Sequence, residues 1–344
     1  CEELAKLAGI ELLVVTPPAW ILEGQAQRLE RRYTDGYQLA VEPIALNGHF
    51  HGHFYPLLRR RFAQFRPDVL HIDEEAYNLA TFQAVRLARR YGARSVFFTW
   101  QNLDRRYPFP FSAMERYVLH QAELCIAGNQ EAADIQRRRG FRKEIRVIPQ
   151  FGIDPELFRP EVIPHEGFTI GFSGRLVEQK GLRVLYEALE QLPADCRLLL
   201  AGGGPLEAEL RARAASHGWS ERLTITSAAS TDMPGLYGQM DCLALPSLTT
   251  AAWKEQFGRA AVEAMACELP VVGSDSGEIP QVLGGAGIVV PEGNAAALGA
   301  ALQRLYEEPE LRRQLGVAGR QRVEERFTQK EIARQTWEAY QTFH

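Results

Sequence analysis

Short apolar, often β-branched runs alternate with stretches of helical periodicity along almost the whole chain. In the first half, 11–16, 37–46, 68–73, 94–100, 124–127 and 145–148 read as strands, with helices over 76–91 and 111–121 between them. The segment 149–164 is rich in proline and turn residues and reads as a linker. The pattern then restarts, with strands over 168–172, 197–201, 223–226, 242–245, 271–274 and 287–290 and helices over 180–191, 206–217 and 257–266. Two further helical stretches, 308–326 and 329–343, close the chain. Strand–helix alternation of this kind predicts mostly parallel sheets covered by helices. The expected architecture is therefore α/β, with two Rossmann-like doubly wound domains: residues 1–155, residues 156–327, and a closing helix over 328–344 that packs back on the first domain. Ligands of such sheets bind outside the carboxyl ends of the strands, so the expected site is the cleft between the domains.

Composition narrows the class. A chain of 344 residues is long for one core, which agrees with two domains. Its formal net charge of −4 argues against a nucleic-acid partner, which calls for a basic footprint. Five scattered cysteines (Cys1, Cys125, Cys196, Cys242, Cys267), mostly in apolar runs, fit reduced thiols and a cytoplasmic location. No run approaches the length of a membrane span, and no signal peptide opens the sequence. Cys1 is no initiator methionine, and residues 1–7 read as the end of a helix. The expectation is that the first strand of the N-terminal domain is missing.

The most informative stretch runs from Trp253 to Ala266 and holds Glu255 and Glu263 with seven residues between them. Phe257-Gly258 marks a helix start, so Glu255 falls in the loop and Glu263 about 8 Å further along, at ~1.5 Å per residue. The helix would direct bare amides and its positive dipole end at an anion. Paired glutamates often simply face solvent. Here Val262, Ala264, Met265 and Ala266 set Glu263 in a mostly apolar stretch, where a carboxylate is costly unless hydrogen-bonded.

This segment resembles the Glu-x7-Glu motif of retaining glycosyltransferases of family 4, which have the GT-B architecture, and the similarity continues from Cys267 to Pro280. The resemblance implies that Glu255 contacts the donor sugar near the reacting carbon and that Glu263 binds the ribose hydroxyls, with Phe257 and Gly258 beside them. The family has glycine where this chain has Glu268, and often where it has Glu278. A second element, Gly171 to Gly181, follows a strand and opens a helix, the usual position of a phosphate loop. Its Arg175 and Lys180 supply two charges that suit a diphosphate. It resembles the family's Gly-Arg-Leu…Lys-Gly element, which implies that Gly174, Arg175 and Lys180 hold the donor diphosphate. Residues 148–158 resemble the interdomain segment, and Gly202-Gly203-Gly204 resembles the glycine turn near the base, Gly203 being the contact. No Asp-x-Asp occurs, so no metal is expected, and the nucleotide sugar is a co-substrate, with no separate cofactor. The function implied is transfer from a nucleoside-diphosphate sugar to a glycan, lipid-linked or small-molecule acceptor. Glu255, Arg175 and Lys180 would carry the chemistry. The alternative is a non-catalytic sugar-nucleotide-binding protein.

Acceptor-side candidates come from the first half: His71 and Glu74 at one strand end, Trp100 and Gln101 at the next. The family commonly has a histidine near the second position, so its role does not carry over. Residues 54–66 form a basic, amphipathic stretch with Leu58, Phe62 and Phe65 at helical spacing among Arg59, Arg60 and Arg66. It is a candidate for peripheral contact with the inner face of a membrane; the plainer reading, a helix packed on the sheet, is favoured. A dinucleotide dehydrogenase is disfavoured because Glu207 stands where the third glycine of Gly-x-Gly-x-x-Gly belongs, and a P-loop enzyme because Gly-Lys never occurs.

Overall fold

The computed structural model describes residues 1–22 and 24–343. The chain divides into two compact units, one made of Cys1–Gln150 with Ile332–His344, the other of Phe151–Glu331.

The first unit contains β1 (Leu13–Thr16), β2 (Ala19–Leu22), β3 (Gln25–Arg28), β4 (Gln38–Val41), β5 (Val69–Ile72), β6 (Arg94–Thr99), β7 (Leu124–Ala127) and β8 (Glu144–Val147). Strands β5, β6, β7 and β8 form a parallel sheet in that order, and β1 pairs with β4 in a separate parallel ribbon. The strand expected over 37–46 stops at Val41; Pro43, which has no amide to donate, follows soon after. The antiparallel β2–β3 hairpin was not legible because every residue of β3 is exposed and carries no apolar signal.

Side chains alternate along β6 and β7. Phe97 and Cys125 join Val85, Val118 and Phe141 on one face, where the helices Leu79–Tyr91 and Phe111–Gln121 lie. Val96, Phe98, Leu124 and Ile126 turn to the other face and meet Ile332, Ala339, Tyr340 and Phe343 near the chain end. Helix Leu58–Phe65 buries Leu58 and Phe62 against Ala84, Ala88 and Tyr91, with Val15 and Leu70 packed alongside. Leu58 and Phe62 of its apolar face are therefore spent on the protein, while Leu57, Arg59, Arg60 and Arg66 stay exposed. Among the described residues, no helix is long and apolar enough to cross a membrane.

The second unit holds β9 (Phe168–Ser173), β10 (Cys196–Ala201), β11 (Leu223–Thr226), β12 (Cys242–Leu245), β13 (Val271–Ser274) and β14 (Ile288–Val290), all parallel. Their order in the sheet is β11-β10-β9-β12-β13-β14, so the winding reverses between β9 and β12. Phe172, Leu198, Leu200 and Ala244 share a core with Leu185 of helix Leu182–Leu189, Leu210 of Glu207–Ser216 and Leu302 of Ala295–Glu307. The last of these helices went unread in the sequence, as did Gln130–Arg138 in the first unit. Helix Arg259–Ala266 packs instead on Pro309–Arg326, where a Cβ on Gly319 would come within 3.1 Å of Met265.

Helix Arg259–Ala266 ends at Cys267, and the next residue, Glu268, is left-handed at φ +57°. A side chain in that region costs about 1–2 kcal/mol relative to glycine, part of which the freer unfolded glycine chain offsets. Glu268 is exposed, so nothing is lost by removing its side chain. Glu268→Gly is expected to raise unfolding stability by about 0.5–1 kcal/mol in urea titrations; a destabilised variant would mean that the carboxylate has a role the geometry does not reveal.

Candidate functional site

Ligands of open α/β sheets bind where the winding reverses, and in the second unit that point lies between the loops leaving β9 and β12. The β9 loop is zipped to the glycine turn after β10: the amide of Gly174 donates to Ala201 (3.0 Å) and that of Leu176 to Gly203 (2.9 Å). This close approach explains two glycines. A Cβ on Gly202 would lie 1.9 Å from the carbonyl oxygen of Gly174, and one on Gly204 would lie 2.5 Å from that of Leu176. Gly203 differs, since a Cβ there meets nothing within 4 Å. Its flanking glycines are required by the fold, whereas Gly203 faces open space.

The loops after β9 and β12 meet directly. The amide of Leu248 donates to the carbonyl of Gln179 at 2.8 Å. Lys180, at the end of the 3-10 turn Glu178–Lys180, extends its ammonium to Glu255 Oε2 at 2.6 Å. The Ser247 hydroxyl donates to the same oxygen at 2.9 Å, and Lys180 Nζ lies 4.9 Å above the Trp253 ring. Glu255 is 8% exposed, so it is no solvent-facing carboxylate. Arg175 is exposed, and its guanidinium makes no hydrogen bond or ion pair with another described residue.

Glu263 is 6% exposed. Tyr237 donates its hydroxyl to Oε2 at 2.8 Å, and Arg259, one turn earlier, donates Nε to Oε1 at 2.8 Å. The apolar stretch thus tolerates a carboxylate because both of its oxygens are satisfied. Burial, reinforced by the Glu263 charge, pushes the Tyr237 phenol well above its ordinary range. Helix Arg259–Ala266 starts at Gly258, which is left-handed at φ +79° and supplies no side-chain cap. The amides of Arg259 and Ala260 find no backbone partner among the described residues, so the positive helix end is open. Phe257 is turned inward, edge-on to Phe327 at 5.7 Å, so its ring is not presented to a ligand.

The first unit contains a cavity of about 490 Å³. Of the four residues proposed from sequence, Glu74 and Trp100 line it, with Trp100 Nε1 donating to Gln150 Oε1 at 2.7 Å. His71 is held elsewhere: its Nδ1 lies 2.5 Å from the Tyr340 hydroxyl, and burial pulls it below the ordinary histidine range. Gln101 is buried beside Gln136, away from the cavity. The structure adds His51, His53, Glu75 and Tyr77 to the lining. The signal for the histidines was present in the run His49-Phe50-His51-Gly52-His53, whose alternation of histidines passed unread.

Glu75 accepts hydrogen bonds from Thr99 Oγ1 (2.7 Å) and the Trp100 amide (2.8 Å), yet burial dominates and raises it from 4.5 to about 7. The folded protein therefore holds this proton more tightly than the unfolded chain does. Stability from this group is complete below about pH 4.5 and is lost as pH rises toward 7, amounting to about 3 kcal/mol. Glu75→Gln keeps an acceptor for the Trp100 amide and removes the charge. Its stability is expected to vary less than the wild type's between pH 4.5 and 7, as thermal unfolding at several pH values will register; an unchanged slope would assign the dependence to another group.

Two family models match the chain: Glycosyltransferase Family 4 over residues 1–157 and Glycosyl transferases group 1 over residues 154–322. Among curated proteins, a GDP-mannose-dependent α-(1-6)-phosphatidylinositol monomannoside mannosyltransferase of Mycolicibacterium smegmatis is 33% identical, over 68% of this chain and 66% of that protein. An α-D-kanosaminyltransferase of Streptomyces kanamyceticus is 27% identical over 58% and 55%. Across such curated relatives the chain spans about half to two thirds of their length. Among solved structures, sucrose-phosphate synthase from Thermosynechococcus elongatus aligns with a TM-score of 0.76 at 22% identity, over 99% of this chain and 91% of that one. Anabaena HepE, solved in complex with UDP, aligns with a TM-score of 0.69 at 22% identity, over 83% and 82%. These two share the fold. With the glutamate pair, the cationic loop and the sheet order all in the second unit, and family models accounting for 1–322, the chain belongs to glycosyltransferase family 4, with Rossmann-like units of the GT-B class.

Proposed function

We propose that this protein transfers a sugar from a nucleoside-diphosphate-sugar donor to a hydroxyl-bearing glycan, lipid-linked or small-molecule acceptor, with retention of configuration and without a metal ion. The observation that carries the reading is the Lys180–Glu255 pair, 2.6 Å apart, at the reversal point of the sheet. When the glycosidic bond to the diphosphate breaks, negative charge grows on the leaving phosphate. Lys180, held in place by Glu255 and Trp253, and the open amides of helix Arg259–Ala266 are preorganised for that charge, and the exposed Arg175 adds a second cation from the β9 loop. Glu255 is the carboxylate for the sugar, steadied by Lys180 and Ser247, and Glu263 is the one for the ribose. The open space at Gly203 suits a nucleotide base or ribose passing close to the backbone. That HepE was solved with UDP supports a diphosphate ligand. Retention is proposed from family membership.

Calorimetry with UDP-, GDP- and ADP-sugars in EDTA, on wild type and on Arg175→Ala/Lys180→Ala, tests the donor site. Metal-free binding of one donor, lost in the variant, is expected. Binding that appears only with a divalent ion would remove the metal-free mechanism, and no binding by folded protein would remove the donor assignment. The anomeric configuration of the glycoside formed on the acceptor, compared with that of the donor by proton NMR, tests retention: a match is expected, and inversion would remove it.

A further inference from the structure

The cavity of the first unit contains a chain of hydrogen bonds whose proton positions follow from chemistry. His53 is 1% exposed, and its Nδ1 faces only acceptors, the carbonyls of His49 (3.2 Å) and Phe50 (3.1 Å). That nitrogen therefore carries a proton. Nε2 lies 3.1 Å from Glu74 Oε1, a carboxylate oxygen, so a proton sits there too. Burial opposes the charge, but Glu74 and the two carbonyls outweigh it and hold His53 above the ordinary histidine range. The other Glu74 oxygen accepts from Asn78 Nδ2 at 2.6 Å, which turns Asn78 Oδ1 toward His51 Nδ1 at 3.1 Å. A neutral His51 then donates from Nδ1 and offers Nε2 as an acceptor.

Asn78 supplies independent support. It occupies the N-cap of helix Leu79–Tyr91, where asparagine normally binds a first-turn amide, yet its side chain makes no capping bond. The side chain is committed to Glu74 and His51 instead. The His51 backbone is fixed to the same helix, its carbonyl accepting from the Leu79 amide at 3.0 Å. Trp20, Phe50, Tyr77 and Trp100 give the cavity aromatic walls, and its volume suits a small molecule. Asp73, Glu74 and Glu75 line it, whereas no lysine or arginine does among the described residues.

We propose that this cavity binds a neutral, hydroxyl-bearing ring, a sugar or cyclitol, whose hydroxyl donates to His51 Nε2, and that Asn78, Glu74 and His53 are the positioning residues that set the His51 tautomer. The ring's role as acceptor rests on the transferase reading; its binding does not. Aromatic faces stack on the C–H face of such a ring, and the carboxylates accept its remaining hydroxyls. Asp73, with no lysine or arginine in the lining among the described residues, disfavours phosphorylated rings.

The test uses the full chain labelled with ¹⁵N-histidine, the signals assigned by single His→Gln variants. His53 is expected with both nitrogens protonated, and His51 with Nδ1 protonated and Nε2 bare. In Asn78→Ala the His51 signals should move toward a tautomer mixture. Binding of glucose, mannose or myo-inositol, followed by saturation-transfer NMR, should weaken about tenfold on loss of one oriented hydrogen bond. His51→Ala should lose at least as much. A wild-type His51 protonated on Nε2, sugar binding unchanged in His51→Ala, or glucose 6-phosphate preferred over glucose would each overturn the proposal. The wild-type spectrum decides the tautomer even if a variant fails to fold. Failure of donor binding with neutral-ring binding intact would count against the transferase reading alone.

Discussion

Replacing Lys180 with alanine is expected to slow sugar transfer by about 10²–10³-fold, or roughly 3–4 kcal/mol of transition-state stabilisation. The ammonium is placed with little freedom: it lies 2.6 Å from Glu255 Oε2 and packs 4.9 Å above Trp253. A cation held this way need not reorganise when charge develops on the leaving diphosphate. Its loss also takes an ammonium away from a carboxylate that is 8% exposed, while the Ser247 hydroxyl stays. Breaking such a pair costs about 3 kcal/mol of folding stability, because the surviving charge is poorly solvated. The two effects separate in the Lys180→Ala/Glu255→Gln double variant. It should regain most of the lost stability in urea titrations and remain as slow as the single variant or slower. Steady-state transfer by Lys180→Ala within a few-fold of wild type would take Lys180 out of the chemistry and leave it a structural counter-ion.

Gly277→Ala should destabilise the protein by about 3 kcal/mol or more and weaken donor binding with it. Gly277 is left-handed at φ +56°, which already penalises a side chain. Its added Cβ would lie 2.0 Å from the carbonyl oxygen of Glu255, a backbone atom that cannot swing aside as a side chain tip would. The same carbonyl accepts the Glu278 amide at 3.1 Å, so relief of the clash displaces the loop that carries Glu255. Gly203→Ala is the control, with no φ penalty and nothing within 4 Å of its Cβ. Calorimetric unfolding should leave that variant near wild type. Equal stability of the Gly277 and Gly203 variants would mean that the Glu255 loop is soft enough to absorb the contact, and that its position is not fixed by this glycine.

How far the sequence could be read depended on where each element buries its side chains. Strands β9, β10 and β12 are apolar nearly throughout, and their bounds are legible to within a residue or two, because a strand covered on both faces appears as an unbroken apolar run. The β2–β3 hairpin had no such run to find, β3 being exposed at every position. Helix Ala295–Glu307 was missed although it buries Leu298, Leu302 and Leu305, its start standing in a run of alanines whose period is weak. Residues 54–66 show the converse. The amphipathic pattern predicted a helix and left two partners for its apolar face, and the packing of Leu58 and Phe62 chose the protein.

The sequence alone determined that Glu255 and Glu263 bracket a helix start, that Arg175 and Lys180 follow a strand, and that Glu263 needed hydrogen-bond donors, because spacing, charge and apolar neighbours are local properties. Only the tertiary structure decided who those donors are: Tyr237, 26 residues away, with Arg259 one turn back. It also joined Lys180 to Glu255 across 75 residues, turned His71 to Tyr340 and buried Gln101. The row of His53, Glu74, Asn78 and His51 likewise arises from a loop and a helix start distant in sequence. Hydrogen bonds act over about 3 Å, and which groups come that close is set by how strands cross over in the sheet, which no run of neighbouring residues encodes.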